Sequence, residues 1–379
     1  MPRFFRFFLI FSVSVITFSG NFHPVFGKKP AVRAPGKILR LKTVEVFDSQ
    51  GWGRPVVAQS LLLPADWRVS GGIRWKTGSV CAGDLIAEHF TASSPDGRLV
   101  FEILPQTFWQ WSSSQLGQTE IRMRGCRALP PLDAAGVLQR YVIPYFRRGA
   151  TVLSIQPFPA AAKAAYEELY RIFGPAYLQQ PNMSVKTDAV KTQISYTIGS
   201  RKYDEIVTVN LFESKTMTVA GPYFSFYVNP VYAFRAPEGQ FRKFERLFAT
   251  IVGSVRTNPV WERALVQVSA KINAGISRAA VARARIWSQA MNQIGETRVR
   301  TWEHNQNTMS KVSRSWSRAF RGVEGYVDPI TKQTVELTSG YQTAWSDGQG
   351  GYILSSDPGF NPNVTLRKGN WKRMRRTTR

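Results

Sequence analysis

Residues 183–199, MSVKTDAVKTQISYTIG, and 202–213, KYDEIVTVNLFE, flank Ser200-Arg201, and 223–237, YFSFYVNPVYAFRAP, follows them. All three runs are rich in β-branched and aromatic residues and are separated by turn residues, which predicts a meander of antiparallel strands. The next stretch, 238–254, EGQFRKFERLFATIVGS, sets Phe241, Phe244, Leu247 and Ile251 at steps of 3, 3 and 4, one face of a helix. Upstream, TVEVFD (43–48), VVAQSLLL (56–63), GGIRW (71–75), DLIAEHFTAS (84–93) and RLVFEIL (98–104) have hairpin spacing. Between these two blocks, helices are expected at 133–147 and 160–174 around a strand at 151–158. Pro144 is expected to end or kink the first helix, and Gly174-Pro175 to stop the second. This order of strands, helices, strands and helix predicts the α+β class: an antiparallel sheet flanked by helices.

Downstream the text changes. From Trp261 to Phe320 there is no proline, and Trp261, Leu265, Val268, Ile272, Ala279, Ala282 and Ile286 recur at helical spacing, with Trp302, Met309, Val312, Trp316 and Phe320 resuming the stripe. Such periodicity predicts a long amphipathic helix over 258–321, or a helical hairpin broken near Gly295. An unbroken helix of this length would reach about 90 Å, so it is expected to pair with its own other half, a second copy or a partner. Residues 322–379 return to turn-and-strand text, with turns at Asp328-Pro329 and Asp347-Gly348. They predict a small β-meander carrying the basic tail RKGNWKRMRRTTR.

Composition narrows the function classes. With 379 residues, 43% of them hydrophobic and 13% aromatic, the chain has enough apolar side chain to exclude wholesale disorder. The mean hydropathy of −0.21 and the lack of a second long apolar run argue against a polytopic membrane protein. Arg3 and Arg6 precede the apolar run FFLIFSVSVITF (7–18), which has the form of a secretory signal peptide over 1–27, with a basic linker at 28–42. The expected location is therefore periplasmic or secreted. Cys81 and Cys126 are the two cysteines of the chain, and in an oxidising compartment such a pair predicts a disulfide.

Catalytic signatures are weak throughout. His89 adjoins Glu88 on strand text, where neighbours face opposite sides of a sheet. His304 adjoins Glu303 and is not one helical turn away from it, so no zinc-type pair forms. Glycine-rich phosphate loops are lacking, and the loop DPGFNPN offers Asp357 as its only carboxylate. No catalytic, cofactor-binding or metal-ligating residue is assigned, and no cofactor is expected. Glu88, Glu102, Asp204 and Glu205 lie on strand text, and two carboxylates from distant segments meeting in a cleft would make an envelope hydrolase, the alternative reading.

Charge carries the leading one. The chain holds 50 Lys+Arg against 25 Asp+Glu, net +25. Residues 255–379 hold 20 basic and 8 acidic side chains, so 20 − 8 = +12 falls in the C-terminal third. Arg278, Arg285, Arg300, Arg314, Arg318 and Arg321, with Trp316, are the residues expected to contact a partner. That partner is an acidic protein, an acidic polymer or an anionic lipid surface; nucleic acid fits the charge but not the signal peptide. The expected function is a non-enzymatic binding or scaffold protein of the cell envelope.

Three stretches carry a family resemblance: SLLLPADWRV with Leu63, Pro64 and Trp67, the turn-plus-strand SPDGRLVFEILP, and the closing helix running into SVRTNP. Over 43–257 the chain resembles the PsbP family, the extrinsic subunits of photosystem II and their bacterial relatives. The resemblance implies a sheet sandwiched by helices and a binding or assembly role without chemistry of its own. No functional residue is carried over from it.

Overall fold

The computed structural model describes residues 38–50, 52–76, 81, 83–174, 178, 180–218, 221–273, 322–366 and 369–377. Its strands are β1 (Ile38–Asp48), β2 (Val56–Pro64), β3 (Arg68–Trp75), β4 (Ile86–Ser93), β5 (Val100–Leu104), β6 (Thr107–Ser112), β7 (Thr151–Pro157), β8 (Met183–Ile198), β9 (Arg201–Thr218), β10 (Gly221–Pro237), β11 (Arg256–Thr257), β12 (Val323–Val327), β13 (Thr334–Thr338), β14 (Thr343–Ser346), β15 (Gly351–Ser355), β16 (Lys372–Arg373) and β17 (Arg375–Arg376). The helices are α1 (Gln115–Met123), α2 (Ala134–Val137), α3 (Ile143–Phe146), α4 (Pro159–Phe173), α5 (Phe241–Gly253), α6 (Pro259–Asn273) and α7 (Pro362–Thr365).

The meander forms as its sequence dictates. β8 and β9 pair across Ser200-Arg201, and β10 returns along β9. β9 is the most enclosed of these strands, buried at every position from Tyr203 to Leu211. A strand buried on both faces needs a layer on each side. On one face α4 contributes Ala161, Ala164 and Ala165, and α5 contributes Phe248, Ile251 and Val252, against Phe101, Ile103, Ile206 and Phe234. On the other face, Ala134, Val137, Leu138, Val142 and Ile143 cover Ile194, Val207, Val209 and Ala233. Pro144 does not break this second layer. A wide turn over Leu138–Val142, in which the Ile143 N–H reaches back to Leu138 O, starts a new helical turn. Pro144 then falls in the first turn of α3, where its missing N–H costs nothing.

The expected class, an antiparallel α+β sheet followed by a long helix and a separate meander, needs correction. The described residues are 48% strand and 23% helix, and most strands share one mixed 14-stranded sheet. It is mixed because Asp48 of β1 meets Ile73 of β3 in parallel. The C-terminal strands extend this same sheet: β15 pairs β1 from Ile38↔Ser355 to Lys42↔Gly351, and β14 and β16 follow outward. Residues 38–42, read as linker, are thus the half of β1 that receives β15. A second sheet, β13-β12-β17, leans on this junction, and Tyr326, Leu337 and Leu354 share a core with Leu41 and Leu62. An unpaired β1 edge would have left a row of backbone donors and acceptors open, and β15 occupies it.

Within the predicted long helix the described residues show α6, which is 15 residues long; 274–321 lie outside the described residues. Trp261, Ala264 and Val268 of α6 do not stand in water. They pack onto Trp52, Ile73, Trp75 and Ile86 of the sheet. At the centre, fully buried Asp48 accepts hydrogen bonds from three indoles: Trp52 Nε1, Trp75 Nε1 (2.9 and 3.0 Å to its two oxygens) and Trp261 Nε1 (2.9 Å). Cys81 and Cys126 are bonded, with Cα atoms 4.9 Å apart, so the expected disulfide is present. It ties the loop before β4 to the residues that follow α1.

Candidate functional site

Two of the four strand carboxylates come together. Glu102 lies opposite Ala233, and Glu205 opposite Arg235. Since Ala233 and Arg235 are two apart on β10, Glu102 and Glu205 share one face of the sheet. Arg147, just past α3, spans them: its Nε is 2.6 Å from Glu205 Oε2, its Nη2 is 2.7 Å from Glu205 Oε1, and Nη2 also donates to Glu102. Burial opposes the Arg147 charge, but the two carboxylates outweigh it and hold the guanidinium protonated well above its ordinary range. His89 Nε2 approaches Glu102 Oε1 at 3.7 Å from the exposed side. Tyr196 stands beside Glu205, and burial, reinforced by that carboxylate, pushes its hydroxyl up in pKa. Asp204 faces the other way and accepts the Gly239 N–H at 2.7 Å.

This cluster is a clamp. A glycosidase-type pair needs one carboxyl free to donate a proton and the other free to attack or to activate water. Here both carboxylates are engaged by one guanidinium, and Glu205 is fully buried. The cluster pins the α2–α3 layer to the sheet.

A more open feature lies on the opposite face. A groove of about 440 Å³ runs between the 94–99 turn, the first turns of α5, and β13. Its floor is apolar, with Leu39, Trp67, Leu99, Phe244 and Leu247; Arg98, Lys243 and Arg246 stand among its lining residues with Asp66 and Asp96. Asp96 accepts from Ser94 Oγ at 2.5 Å and from Arg98 N at 3.1 Å, and these bonds, the serine's first, hold its carboxyl below the usual range. Arg246 Nη1 donates to Ser339 O at 3.3 Å, which fixes its stem. Lys243 is exposed and has no ion-pair partner among the described residues. The three stretches behind the family resemblance meet here: Pro64 and Trp67, then 94–99, then α5. The C-terminal residues Thr338 and Tyr341 complete the wall.

The predicted contact residues Arg278, Arg285, Arg300, Arg314, Trp316, Arg318 and Arg321 lie outside the described residues. Of the basic tail, Lys372, Arg373 and Arg375 are described; they are exposed on β16 and β17. Arg376 beside them pairs with Glu324 at 3.2 Å. Among the described residues, no group of three or more His, Cys, Asp or Glu side chains could hold a metal ion. No protein-family model matches the chain, and no curated protein matches it.

Sequence reasoning missed both the Arg147 clamp and the groove. For the groove a signal was available: helix face and turn both carried cations next to apolar residues, Arg98 before Leu99 and Lys243 before Phe244.

Proposed function

We propose that the chain is a non-enzymatic binding protein of an oxidising compartment outside the cytoplasm, and that it engages an acidic protein segment through the groove and its basic C-terminal third. The observation that carries this reading is the groove itself: an apolar floor next to Arg98, Lys243 and Arg246, with one of its two carboxylates already committed to local hydrogen bonds. Such a lining suits a segment that alternates acidic and apolar side chains. The disulfide supports the compartment. The charge of 274–321, nine basic side chains against Glu296 and Glu303 (9 − 2 = +7), supplies longer-range attraction to the same partner. The hydrolase reading loses its best carboxylate pair to Arg147.

The test uses the full mature chain and a fluorescent peptide of alternating Glu and Leu, with vesicles containing anionic lipid as a parallel arm. The reading expects peptide binding that weakens as salt rises from 50 to 300 mM, and a loss of roughly tenfold or more in affinity for the double variant Arg98→Glu, Lys243→Glu at unchanged thermal stability. Equal binding by wild type and variant contradicts the groove. Binding to vesicles and not to peptide replaces the protein segment with a membrane surface.

A further inference from the structure

Glu88 belongs to neither the clamp nor the groove. It lies on β4, is 3% exposed, and its Oε2 accepts a hydrogen bond from Gln59 Nε2 of β2 at 3.1 Å. β2 and β4 are not hydrogen-bonded neighbours in the sheet, so this side-chain pair is a tie between them. The other two oxygens of the pair, Glu88 Oε1 and Gln59 Oε1, are buried, and among the described residues neither has a donor. Two orphan acceptors on two bonded side chains are costly, since each forfeits its hydration without a replacement. One added proton satisfies both: a carboxylic acid facing a primary amide closes a ring of two hydrogen bonds, N–H to one oxygen and O–H from the other.

We propose that Glu88 stands in the folded protein as a carboxylic acid whose Oε1–H donates to Gln59 Oε1, and that loss of this proton loosens the tie between β2 and β4. The surroundings agree. Burial raises the Glu88 carboxyl to about 7 from 4.5, and only the Gln59 bond works against it. From β10, Tyr227 faces the same region; burial first, then Glu88, Asp84 and Glu262 push its hydroxyl up, with an Asn229 bond opposing. A negative Glu88 would thus join two carboxylates around that tyrosine. Gln106 Oε1 is committed to the Glu88 N–H at 2.9 Å. The consequence reaches α6: Gln59 faces Thr257 of β11, and the adjoining Asn258 N–H binds Ala58 O at 2.8 Å. The tie therefore sits where the chain enters α6, on the way to the basic segment 274–321.

The sign of the effect follows from linkage. A carboxyl raised in the folded state holds its proton more tightly folded than unfolded, so stability is intact below pH 4.5, falls as pH rises towards 7, and is lowest above it. The displacement from 4.5 to about 7 corresponds to a roughly 300-fold loss in the folding equilibrium constant. Carbon NMR of the full chain, labelled at the glutamate carboxyls, tests this. We expect one resonance with a midpoint near pH 7 that is absent from Glu88→Gln. Denaturation midpoints should also fall between pH 5 and 8.5 in wild type and much less in the variant. If Glu88→Gln does not fold, Gln59→Ala should move the same midpoint downward, because the acceptor that holds the Oε1–H is gone. Glutamates that all titrate in the ordinary carboxylate range, or a midpoint unmoved or raised by Gln59→Ala, would overturn the proposal.

Discussion

Asp48 gathers three indole N–H groups, from Trp52 after β1, Trp75 on β3 and Trp261 on α6. Hydrogen bonds to an ionised acceptor contribute about 1.5–3 kcal/mol each, more than neutral ones. In Asp48→Asn the shape is kept, but an NH2 group faces donors that need an acceptor. We expect the variant to lose about 2–4 kcal/mol, read as a lower urea midpoint with an unchanged slope; a midpoint equal to wild type would remove Asp48 as the anchor of α6. None of this was legible in the sequence. Trp261 was visible as the start of an apolar stripe, but its indole partner lies 213 positions away. The Arg147 clamp was hidden for a related reason. Glu102 and Glu205 stood among four carboxylates on strand text, and a one-residue change of register would have sent either to the opposite face.

Among the elements, the meander and α5 were read directly, because alternating or 3.6-period patterns are local properties of the chain. The aromatic contacts Phe234–Phe248 at 5.0 Å and Phe241–Phe248 at 6.3 Å are that helical face seated on the sheet. β6 and α1 were missed in the stretch FWQWSSSQLGQTEIRMRGCRALPP. A cap signal was present there: Ser114 accepts the Gly117 N–H at 3.0 Å and starts α1. This stretch also holds one end of the disulfide, which closes a sequence separation of 45. In the chain-entropy model a loop of that size stabilises by about 4 kcal/mol, an upper figure because the unfolded chain keeps some structure. Paired Cys81→Ser and Cys126→Ser replacements should lower the melting temperature by about 6 °C for 4 kcal/mol, because the unfolding entropy grows with chain length, and calorimetry of wild type under reducing conditions should show the same fall. Coinciding melting curves with and without reductant would mean that the bond restrains nothing the fold does not already hold.

At the scale of the whole molecule, the C-terminal strands were recognisable as strands, but their destination was not. Pairing between β1 and β15 joins residues about 300 positions apart, and nothing local records which edge a distant hairpin will fill. The same joining builds the groove, since Leu39, Trp67, Phe244 and Tyr341 come from four separate stretches. The proposed function turns on an acidic segment binding there. Hydrogen exchange of the full chain with and without the Glu–Leu peptide reads this out residue by residue. Binding in the groove predicts slowed exchange at 94–99 and 240–247, where a bound segment covers the backbone or steadies the first turns of α5. Protection at the Arg147 clamp with none at 94–99 or 240–247 would contradict it and return the carboxylate cluster to the centre of the function.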